Sequence, residues 1–294
     1  MSATYEIVAI GEILWDLLPT GRLLGGAPGN FAFHCHQLGR SAVLLSRVGV
    51  DALGREVRQA VRTLGLSDDY LQDDPTHPTG TVSVALGPGG QPTFTIHEGV
   101  AWDHLAPDPR LEAVVRAARV VCFGTLMQRN AVSRATVQAL LRSVTSATVV
   151  CDINLRQHYY SRELIETSLA ASDWIKLNDG ELIILRDLLG LAGADERSLV
   201  ADLRRRYDAE LVALTRGARG CLVQTADEEV DLPGIPVTVV DTIGAGDAFT
   251  AGLVVAHLEG KPVAEAAAFA NRLAARVAAA AGGTPSIARR EIEG

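Results

Sequence analysis

Aromatic side chains are scarce in this chain of 294 residues, where they make up 5% of the sequence, and basic residues do not outnumber acidic ones. So few aromatic rings disfavour a platform on which nucleic-acid bases stack. The net charge of −8 argues against a nucleic-acid backbone or an anionic membrane as the main partner. Long apolar runs are lacking too, because the alanine-rich stretch 274–281 is short and contains Arg276. The sequence is therefore typical of a soluble enzyme or a protein that binds small molecules.

Cysteines are few and widely separated, and none forms a CxxC pair or a zinc-spaced cluster with histidine. His34 and His36 lie two residues apart on a predicted helix, so their side chains point in different directions and do not form a metal site. The first apolar run is short and has no basic residue before it, unlike a signal peptide. This cysteine usage fits a reducing compartment, and we expect the protein in the cytoplasm. The cysteines are Cys35, Cys122, Cys151 and Cys221.

Short β-branched runs alternate with longer helical patterns along the chain, which predicts an α/β fold of parallel strands covered by helices. The 48% of hydrophobic side chains suffices for the core of one large domain, and we expect one domain over residues 1–294. The predicted strands are 7–10, 43–48, 120–124, 148–153, 174–177, 211–215 and 237–240. The predicted helices include 30–38, 53–64, 131–144, 162–171, 199–207 and 248–258.

Two segments break this alternation. One is the short stretch 22–24, which precedes a pair of glycines. The other consists of two strand-like runs, 81–86 and 93–97, around the turn-rich residues 87–92. This pattern predicts a β-hairpin, and a hairpin inserted into an α/β protein often forms a lid or a dimer contact.

The strongest local signal is the segment 241–249, with the sequence DTIGAGDAF. Its glycines let the backbone turn tightly into a helix, so that consecutive N–H groups point at one anion. Asp247 lies at the same helix N-terminus, where the helix dipole favours a charged carboxylate. Phosphoryl transfer to a hydroxyl needs both parts, because the amides stabilise the transferring charge and the carboxylate takes the proton. The alternative is a helix N-cap with glycines for close packing.

Two other nucleotide-binding patterns are absent from the sequence. No GxxxxGK[ST] motif occurs, so the segment is not a Walker A loop. Phe249 stands where the third glycine of a dinucleotide-binding fingerprint belongs. A dinucleotide-dependent oxidoreductase is therefore disfavoured.

A glycine-rich loop at 25–32 leads into a helix that begins with a proline, and a small ligand can approach such a loop closely. Asn30 offers this ligand both a donor and an acceptor. Asp16 follows the first strand and can accept hydrogen bonds from sugar hydroxyls. The alternatives are an ordinary helix start for the loop and a turn or cap for Asp16.

Polar side chains also follow three of the other predicted strands. Asp152, Asn154 and Arg156 alternate after the strand at 148–153, at the edge where open α/β sheets bind ligands, and an arginine fork suits a phosphate. Asn178 and Glu181 follow the next strand, either as a pair for water-mediated contact with Mg²⁺ or as a helix capping box. The loop 215–220 offers a hydroxyl and amides for nucleotide phosphates, or is a simple hairpin turn.

Taken together and in this order, these segments resemble the ribokinase-like, PfkB-type family of carbohydrate kinases over essentially the whole chain. The loop at 25–32 looks like the N-terminal signature of the family, and 241–247 looks like its C-terminal signature. Residues 11–19, the pair Trp102-Asp103 and the segment 123–129 resemble bacterial fructokinases. The resemblance implies a three-layer α/β/α sandwich with a mostly parallel central sheet and a small β lid. The lid would comprise residues 12–25 and 79–98.

The resemblance also implies roles for individual residues in the reaction. Asp247 matches the catalytic base of the family. Arg156 matches an arginine that in some branches reaches the transferring phosphate. The anion hole is matched by Gly244, Ala245 and Gly246.

Contacts to the sugar are implied in the same way. Asp16, Gly26 and Asn30 match residues that bind sugar hydroxyls. We expect Gln128 to bind the sugar as well and Arg129 to face the sugar region, where a basic group would favour an acid sugar.

The resemblance implies a second set of residues that bind the nucleotide and its cations. Asn178 and Glu181 match an Asn-x-x-Glu motif tied to Mg²⁺ and phosphate. Thr215, Gly217 and Gly220 match the ATP phosphate loop of the family. Asn271 matches a residue beside the adenine. Ala280 and Ala281 depart from the family pattern, because neither offers a side-chain ligand beside the K⁺ site that many members have. The other residues at that site are Asp241, the Ile243 carbonyl, Gly282 and Ser286.

The sequence thus predicts an ATP- and Mg²⁺-dependent sugar kinase that converts fructose to fructose 6-phosphate. The resemblance implies a homodimer formed through the lid, and neither nucleic acid nor a membrane is expected as a partner. Alternatives on the same scaffold are a 2-keto-3-deoxygluconate, ribose or nucleoside kinase. A catalytically silent sensor of sugar or nucleotide is a further alternative, although a sensor has no need of a base.

Overall fold

A computed structural model describes residues 4–18, 21–86 and 92–293, and their strands form two sheets. The larger sheet has the strand order β13-β12-β11-β10-β9-β8-β1-β4-β5, and the smaller one has the order β3-β2-β6-β7. In chain order, the strands of both sheets are β1 (Ile7–Ile10), β2 (Leu14–Leu18), β3 (Gly21–Gly25), β4 (Ala42–Gly49), β5 (Leu71–Asp74), β6 (Thr81–Leu86), β7 (Pro92–Ile96), β8 (Val120–Gly124), β9 (Thr148–Asp152), β10 (Trp174–Asn178), β11 (Leu211–Thr215), β12 (Cys221–Gln224) and β13 (Glu229–Leu232).

Helices connect the parallel strands of the larger sheet. Seven of its strands run parallel to one another, in the order β5, β4, β1, β8, β9, β10 and β11. Strand β12 is antiparallel to β11, and β13 is antiparallel to β12. The α/β fold with a mostly parallel sheet is therefore confirmed. The helices are α1 (Ala27–Gln37), α2 (Ala52–Thr63), α3 (Pro109–Ala117), α4 (Ala131–Ser143), α5 (Arg162–Ala170), α6 (Asp179–Leu189), α7 (Glu196–Arg206), α8 (Ala245–Leu258) and α9 (Val263–Ala278).

The central strand β1 shows how the layers arise. All four of its residues are buried, and successive side chains alternate between the two faces of the sheet. Val8 and Ile10 belong to a core cluster that includes Leu140 of α4, whereas Ile7 and Ala9 belong to a second cluster that includes Phe269 of α9. The larger sheet is thus the middle layer of a three-layer sandwich, which positions the carboxyl ends of its parallel strands along one edge.

The smaller sheet contains both segments that interrupt the alternation in the sequence. Strands β6 and β7 form the expected hairpin, although its turn at 87–91 lies outside the described residues. Strand β2 pairs with β6 in parallel and with β3 in antiparallel fashion, so the first segment joins the hairpin in one sheet. Trp15 Nε1 donates to the Leu53 carbonyl at 3.1 Å, and Arg22 pairs with Glu56 at 2.8 Å. These contacts attach the β2–β3 side of the smaller sheet to α2. The whole smaller sheet, β3-β2-β6-β7, is hereafter called the lid.

The predicted strand at 237–240 is wrong. Its backbone has no strand partner, and Val239 and Val240 are 59% and 62% exposed. Alternating valines predicted a strand there, but β13 ends at Leu232 and the following segment contains Pro233, Gly234 and Pro236, which favour irregular backbone. Across the residues that the structure describes, no helix has the length and apolar character needed to cross a membrane.

Candidate active site

A cleft of about 1270 Å³ lies at the carboxyl edge of the parallel strands, with the lid on one side. Its walls come from residues far apart in the sequence, from Glu12 to Ala278. This volume exceeds the usual range for a single small ligand, so the cleft has room for two. It is lined by most of the predicted site residues, namely Asp16, Gly26, Asn30, Arg156, Asn178, Thr215, Gly217, Gly220, Ile243, Gly244, Ala245, Gly246, Asp247 and Asn271.

The N-terminus of α8 opens into the middle of this cleft. Gly244 caps the helix with a φ of 76°, in the left-handed region that favours glycine. A Cβ at Gly244 would lie 2.6 Å from Gly283 Cα, so two backbone segments pack here without space for a side chain. Gly244, Ala245 and Gly246 line the cleft, so the positive end of the α8 dipole faces a space in which an anion can bind.

Asp247 lies in the same turn of α8, and its Oδ2 accepts a hydrogen bond from Asn30 Nδ2 at 2.8 Å. The helix N-terminus favours the charged form of Asp247, but other influences raise the pKa of this carboxyl. Burial raises the pKa of Asp247 to about 6, the Asp152 carboxylate adds to this rise, and Lys176, Asn30 and Arg156 oppose it. The desolvation of a carboxylate sunk between packed elements outweighs the helix dipole. A carboxyl with this pKa is suited to accept a proton near neutral pH.

Beneath the α8 N-terminus lies a buried ion pair between Lys176 and Asp152, with Nζ and Oδ1 3.1 Å apart. Thr250 of α8 donates to the second oxygen of Asp152 at 3.0 Å, so the helix is fixed to β9 as well as to β10. A Cβ at Gly246 would lie 2.9 Å from Lys176 Nζ, which places this cation directly under the anion hole. Burial alone would lower the pKa of Lys176, but the carboxylates of Asp152, Glu181 and Asp247 outweigh it and raise that pKa.

Glu12 is a second buried carboxyl in the cleft that sequence reasoning missed. Burial raises its pKa to about 7, while its own backbone N–H, Arg156 and the N–H of Ala27 oppose the rise and Asp247 adds to it. It lies against the start of α1, where the capping residue Gly26 has no side chain to satisfy the helix N–H groups. Lys176 and Glu12 were overlooked because each acquires its role from residues distant in the chain. The one local signal was a charged residue inside or directly after an apolar strand.

The sugar-binding residues predicted at the start of the chain come together here. Gly26 has a φ of 116°, and a Cβ there would lie 2.4 Å from the Glu12 carbonyl oxygen, so the loop into α1 requires glycine. Asp16 projects from lid strand β2 toward the cleft, and burial raises its pKa while Arg156 opposes the rise. Asn30 and Asp16 thus offer polar groups on two sides of one space.

Arg156 lies in a loop with unusual backbone geometry. Asn154 and Gln157 have φ values of 43° and 49°, in a region that side chains other than glycine seldom adopt. The alternation predicted from Asp152 to Arg156 therefore ends at Asn154. Asp152 is buried beneath α8, whereas Asn154 and Arg156 line the cleft.

Asn178 and Glu181 form the capping box of α6. Asn178 Oδ1 accepts from the Glu181 N–H at 2.9 Å, and Glu181 Oε2 accepts from the Asn178 N–H at 2.8 Å. The other oxygen of Glu181 accepts from the Leu155 N–H at 2.8 Å, so both oxygens are occupied by backbone. Burial raises the pKa of Glu181, and Lys176 is the strongest opposing influence. Asn178 lines the cleft, and Glu181 lies behind it.

The loop between β11 and β12 is a hairpin turn and also lines the cleft. Thr215 ends β11, and Gly217 and Gly220 have φ values of 55° and 88°. A Cβ at Gly220 would lie 2.0 Å from the Leu232 carbonyl oxygen. Asn271 of α9 donates to the Pro233 carbonyl at 2.9 Å, and Pro233 adjoins Gly220, so Asn271 lies near this loop.

Asp241 joins the two loops that flank the α8 N-terminus. Its carboxylate accepts from the Ile243 N–H at 3.0 Å and from the Gly282 N–H at 3.1 Å. The predicted K⁺ residues Asp241, Ile243 and Gly282 are thus neighbours, while Ser286 lies further along an exposed segment. Within the ranges that the structure describes, no group of three or more His, Cys, Asp or Glu side chains is arranged to hold a metal ion.

Two predicted sugar contacts are placed elsewhere. Gln128 is 1% exposed, and its Nε2 donates to the Gly124 carbonyl and to Ser168 Oγ inside the core. Arg129 forms a two-pronged ion pair with Asp103 at 2.8 and 2.9 Å. Neither side chain lines the cleft. Leu126, two residues before Gln128, does line the cleft. The short helical turn at 126–129 directs the side chains of Gln128 and Arg129 away from the cleft, which the sequence does not show.

The chain is similar to several curated sugar kinases. It is 33% identical to a fructokinase of Klebsiella pneumoniae over 263 residues, which is 85% of this chain and 83% of that protein. It is 30% identical over 292 residues to a 2-dehydro-3-deoxygalactonokinase of Haloferax volcanii, with 92% of this chain and 90% of that protein covered.

A solved structure has the same fold. It is the complex with ATP of an uncharacterized sugar kinase from Pyrococcus horikoshii, with a TM-score of 0.81 and 27% identity, covering 97% of this chain and 99% of that one. The model of the pfkB family carbohydrate kinases matches residues 20–289. That match spans both the loop at Gly26 and the glycines at the start of α8. The chain therefore belongs to the pfkB family of carbohydrate kinases.

Proposed function

We propose that this sugar kinase transfers the γ-phosphate of ATP to a primary hydroxyl of fructose and forms fructose 6-phosphate. The observation that carries the proposal is the position of Asp247, which lies in the first turn of α8 beside the anion hole and is bonded to Asn30. A base, an anion-binding helix terminus and a polar sugar contact therefore meet at one point of a cleft that has room for a sugar and a nucleotide.

In the proposed reaction, the sugar lies under the lid with its hydroxyls bonded to Asp16, Asn30 and the Gly26 backbone. Asp247 takes the proton of the primary hydroxyl as that oxygen bonds to the γ-phosphorus, and the bond from phosphorus to the ADP oxygen breaks. The first-turn amides of α8 stabilise the charge that develops on the transferring phosphoryl group. Arg156 approaches the same group from the facing loop.

Lys176 contributes at a distance in this mechanism. Its charge lies under Gly246 and is balanced by Asp152. We infer that this pair holds the α8 N-terminus in place, and that within it Lys176 lowers the pKa of Asp247 whereas Asp152 raises it.

The nucleotide half of the cleft is proposed to hold ATP, with Thr215, Gly217 and Gly220 at its phosphates and Asn271 beside the adenine. Mg²⁺ is held in many kinases by one or two protein groups plus the phosphates, so a dedicated cage is not needed. Asn178 and Asp179 are polar residues that line this half at the α6 N-terminus, and when bound the ion would neutralise phosphate charge. Asp241, Ile243 and Gly282 are proposed as the K⁺ residues, which a comparison of rates in K⁺ and Na⁺ tests.

The choice of a neutral sugar rests on the cations near the sugar half. Arg129 is committed to Asp103 and stacked on Trp102, with its guanidinium 4.1 Å from the ring centroid. Lys176 is neutralised by Asp152. Arg156 faces three carboxyls, those of Glu12, Asp16 and Asp247. The carboxylate of an acid sugar such as 2-keto-3-deoxygluconate would compete with these three carboxyls for Arg156, whereas fructose carries no charge.

The lid is proposed to close over the sugar and to join two copies of the chain in a homodimer. Leu23 is 44% exposed on β3, next to Asp16 of β2 in the sheet register, so the lid carries apolar surface beside its sugar contact. A dimeric mass by sedimentation at micromolar concentration supports this assembly, and a monomeric mass contradicts it.

The test of the function is the release of ADP from Mg²⁺-ATP with fructose, ribose, glucose, mannose, 2-keto-3-deoxygluconate and adenosine as acceptors. We expect a selective rate with fructose. A selective rate with another acceptor would retain the mechanism and refute fructose. No turnover with any of them, from protein shown to be folded, would favour a silent sensor.

A further inference from the structure

The return strand of the lid hairpin is attached to the loop that carries Arg156. Tyr159 Oη lies 3.2 Å from the Ile96 carbonyl oxygen and 2.8 Å from Glu98 Oε1. Ile96 ends β7, and its side chain lines the cleft beside Val82 of β6. A single hydroxyl from the body of the enzyme therefore holds the strand that forms part of the roof over the sugar.

Tyr159 and Arg156 are the two ends of one tight turn. The Tyr159 N–H donates to the Arg156 carbonyl at 3.0 Å, and Gln157 inside the turn has a φ of 49°. Asn154, just before the turn, has a φ of 43°. Backbone held in such conformations has few alternatives of similar energy, so a displacement at one end of the turn is passed to the other end.

The Tyr159 ring is also held from behind. The Arg129 guanidinium lies 4.6 Å from the centroid of the Tyr159 ring and 4.1 Å from that of the Trp102 ring, so it is sandwiched between the two. Its Nη2 donates to the His97 carbonyl at 2.5 Å, and its charge is paired with buried Asp103. Arg129 and Tyr159 thus hold three successive residues of the lid, 96 to 98.

From this arrangement we infer that Tyr159 is a positioning residue that couples lid strand β7 to Arg156. A sugar bound under the lid displaces or immobilises β7 at Ile96. Tyr159 transmits this change to the turn 156–159, and Arg156 then reaches the transferring phosphate. The Arg156 side chain is exposed, and its Nη1 donates to the carbonyl of the neighbouring Leu155, so few contacts oppose its movement. The kinetic part of this inference rests on the proposed function, and the structural part does not.

The variant Tyr159→Phe isolates the coupling, because it removes the hydroxyl and leaves the ring between Arg129 and the turn. Tyr160→Phe is the matched control, since it removes a hydroxyl from the adjacent residue. Hydrogen–deuterium exchange of the protein without ligands should show peptides 95–99 and 154–160 both exchanging about three- to tenfold faster in Tyr159→Phe and unchanged in Tyr160→Phe. Wild-type exchange rates at 154–160 in Tyr159→Phe would overturn the inference. This measurement needs no substrate, so it decides the inference whether or not fructose is the acceptor.

A double-mutant cycle with Arg156→Gln tests the effect on catalysis, using the acceptor that gives the highest turnover. We expect Tyr159→Phe to lower kcat about tenfold with the KM for ATP changed less than twofold. In the Arg156→Gln background the same substitution should have no further effect on kcat, because Tyr159 acts through Arg156. Effects that multiply in the double variant would show that Tyr159 only supports the fold, and would overturn the positioning role.

Discussion

Asp247 combines burial, a hydrogen bond from Asn30 and a position beside the anion hole, and these contacts are the basis of two predictions about single residues. Asp247→Asn should keep the bond to Asn30, because the amide oxygen accepts in place of the carboxylate. It cannot take up the proton, so kcat should fall by about 10²–10⁴-fold while the binding of sugar is retained. ADP release and direct titration with fructose measure the two effects. Near-full turnover in the variant would remove Asp247 as the base.

The rate should also depend on pH through this residue. A base works in its unprotonated form, and the pKa of Asp247 is raised to about 6 by burial. We therefore expect kcat/KM to rise with pH through about 6 and to level off above about 7. Profiles of wild type between pH 4.5 and 8.5 measure this, and Asp247→Asn should lack the ionisation. An activity that stays flat down to pH 5 would contradict the assignment.

At the residue scale, sequence reasoning located groups whose role depends on local spacing. Asp247 and Gly244 were found because the glycines and the carboxylate lie within one helical turn. Lys176 was missed, since its importance arises from Asp152 on the neighbouring strand, 24 residues away. Gln128 was wrongly assigned, because nothing in the sequence shows in which direction a short helical turn points its side chains.

Helix α8 carries a prediction at the scale of elements, because both of its ends have a glycine in the left-handed region. Gly244 at its start and Gly260 after its end have φ values of 76° and 75°, but only a Cβ at Gly244 meets other backbone, at Gly283. Alanine at either site costs about 1 kcal/mol of backbone strain, and at Gly244 the clash with Gly283 adds to this cost. Only Gly244→Ala should also displace the anion hole, and we expect a fall in kcat of about 10²-fold.

Gly260→Ala is the matched control for that measurement. It carries the same backbone strain without the clash, so it should lower the melting temperature less than Gly244→Ala does, while kcat stays within about twofold of wild type. Equal kcat values for the two variants would show that the Gly244 amide takes no part in the reaction.

The capping box of α6 gives a second prediction for an element. Both oxygens of Glu181 accept from backbone N–H groups, so Glu181→Gln would turn an NH2 group toward one of these donors. We expect a loss of about 1–3 kcal/mol in the free energy of unfolding, measured by urea denaturation. Glu163→Gln, at an exposed position in the first turn of α5, should cost less than about 0.5 kcal/mol. A change in Mg²⁺ dependence without loss of stability would instead favour a direct role for Glu181 at the metal.

The elements themselves were largely predictable, for a physical reason. Buried parallel strands are near-continuous apolar runs, and β1, β8 and β11 have the predicted bounds. Strand β2 was missed because it contains Asp16 and pairs with β6, about 65 residues later, which local patterning cannot show. The segment 237–240 has the composition of a strand but lacks a strand partner, and its residues Val237 and Val239 line the cleft instead.

For the whole molecule, the buried carboxyls should affect stability as the pH changes. The folded-state pKa values of Asp247 and Glu12 are about 6 and about 7, above the ordinary values of 3.8 and 4.5. The folded protein thus binds more protons than the unfolded chain between about pH 4 and 7. The stabilising contribution of these groups is complete below about pH 4 and is lost as the pH rises through 6 to 7.

Asp247→Asn should therefore be as stable as wild type near pH 4.5 and more stable at pH 8, by on the order of 2 kcal/mol. Thermal unfolding of both proteins across this range measures the difference. An advantage of the variant that does not grow with pH would mean that Asp247 is not buried in the folded protein.

The hydrogen bonds that close the active site join parts of the chain that are synthesised far apart in time. Asn30 reaches Asp247 across 217 residues, and the buried ring of His34 reaches the Gly283 carbonyl across 249. A ribosome-bound chain that has emerged only to residue 240 holds the proposed sugar contacts on α1 and β2, but it lacks the proposed base and the proposed anion hole. Phosphate transfer therefore begins only when the segment after Asp241 packs against α1, and an unfinished copy of the enzyme cannot consume the ATP of the cell.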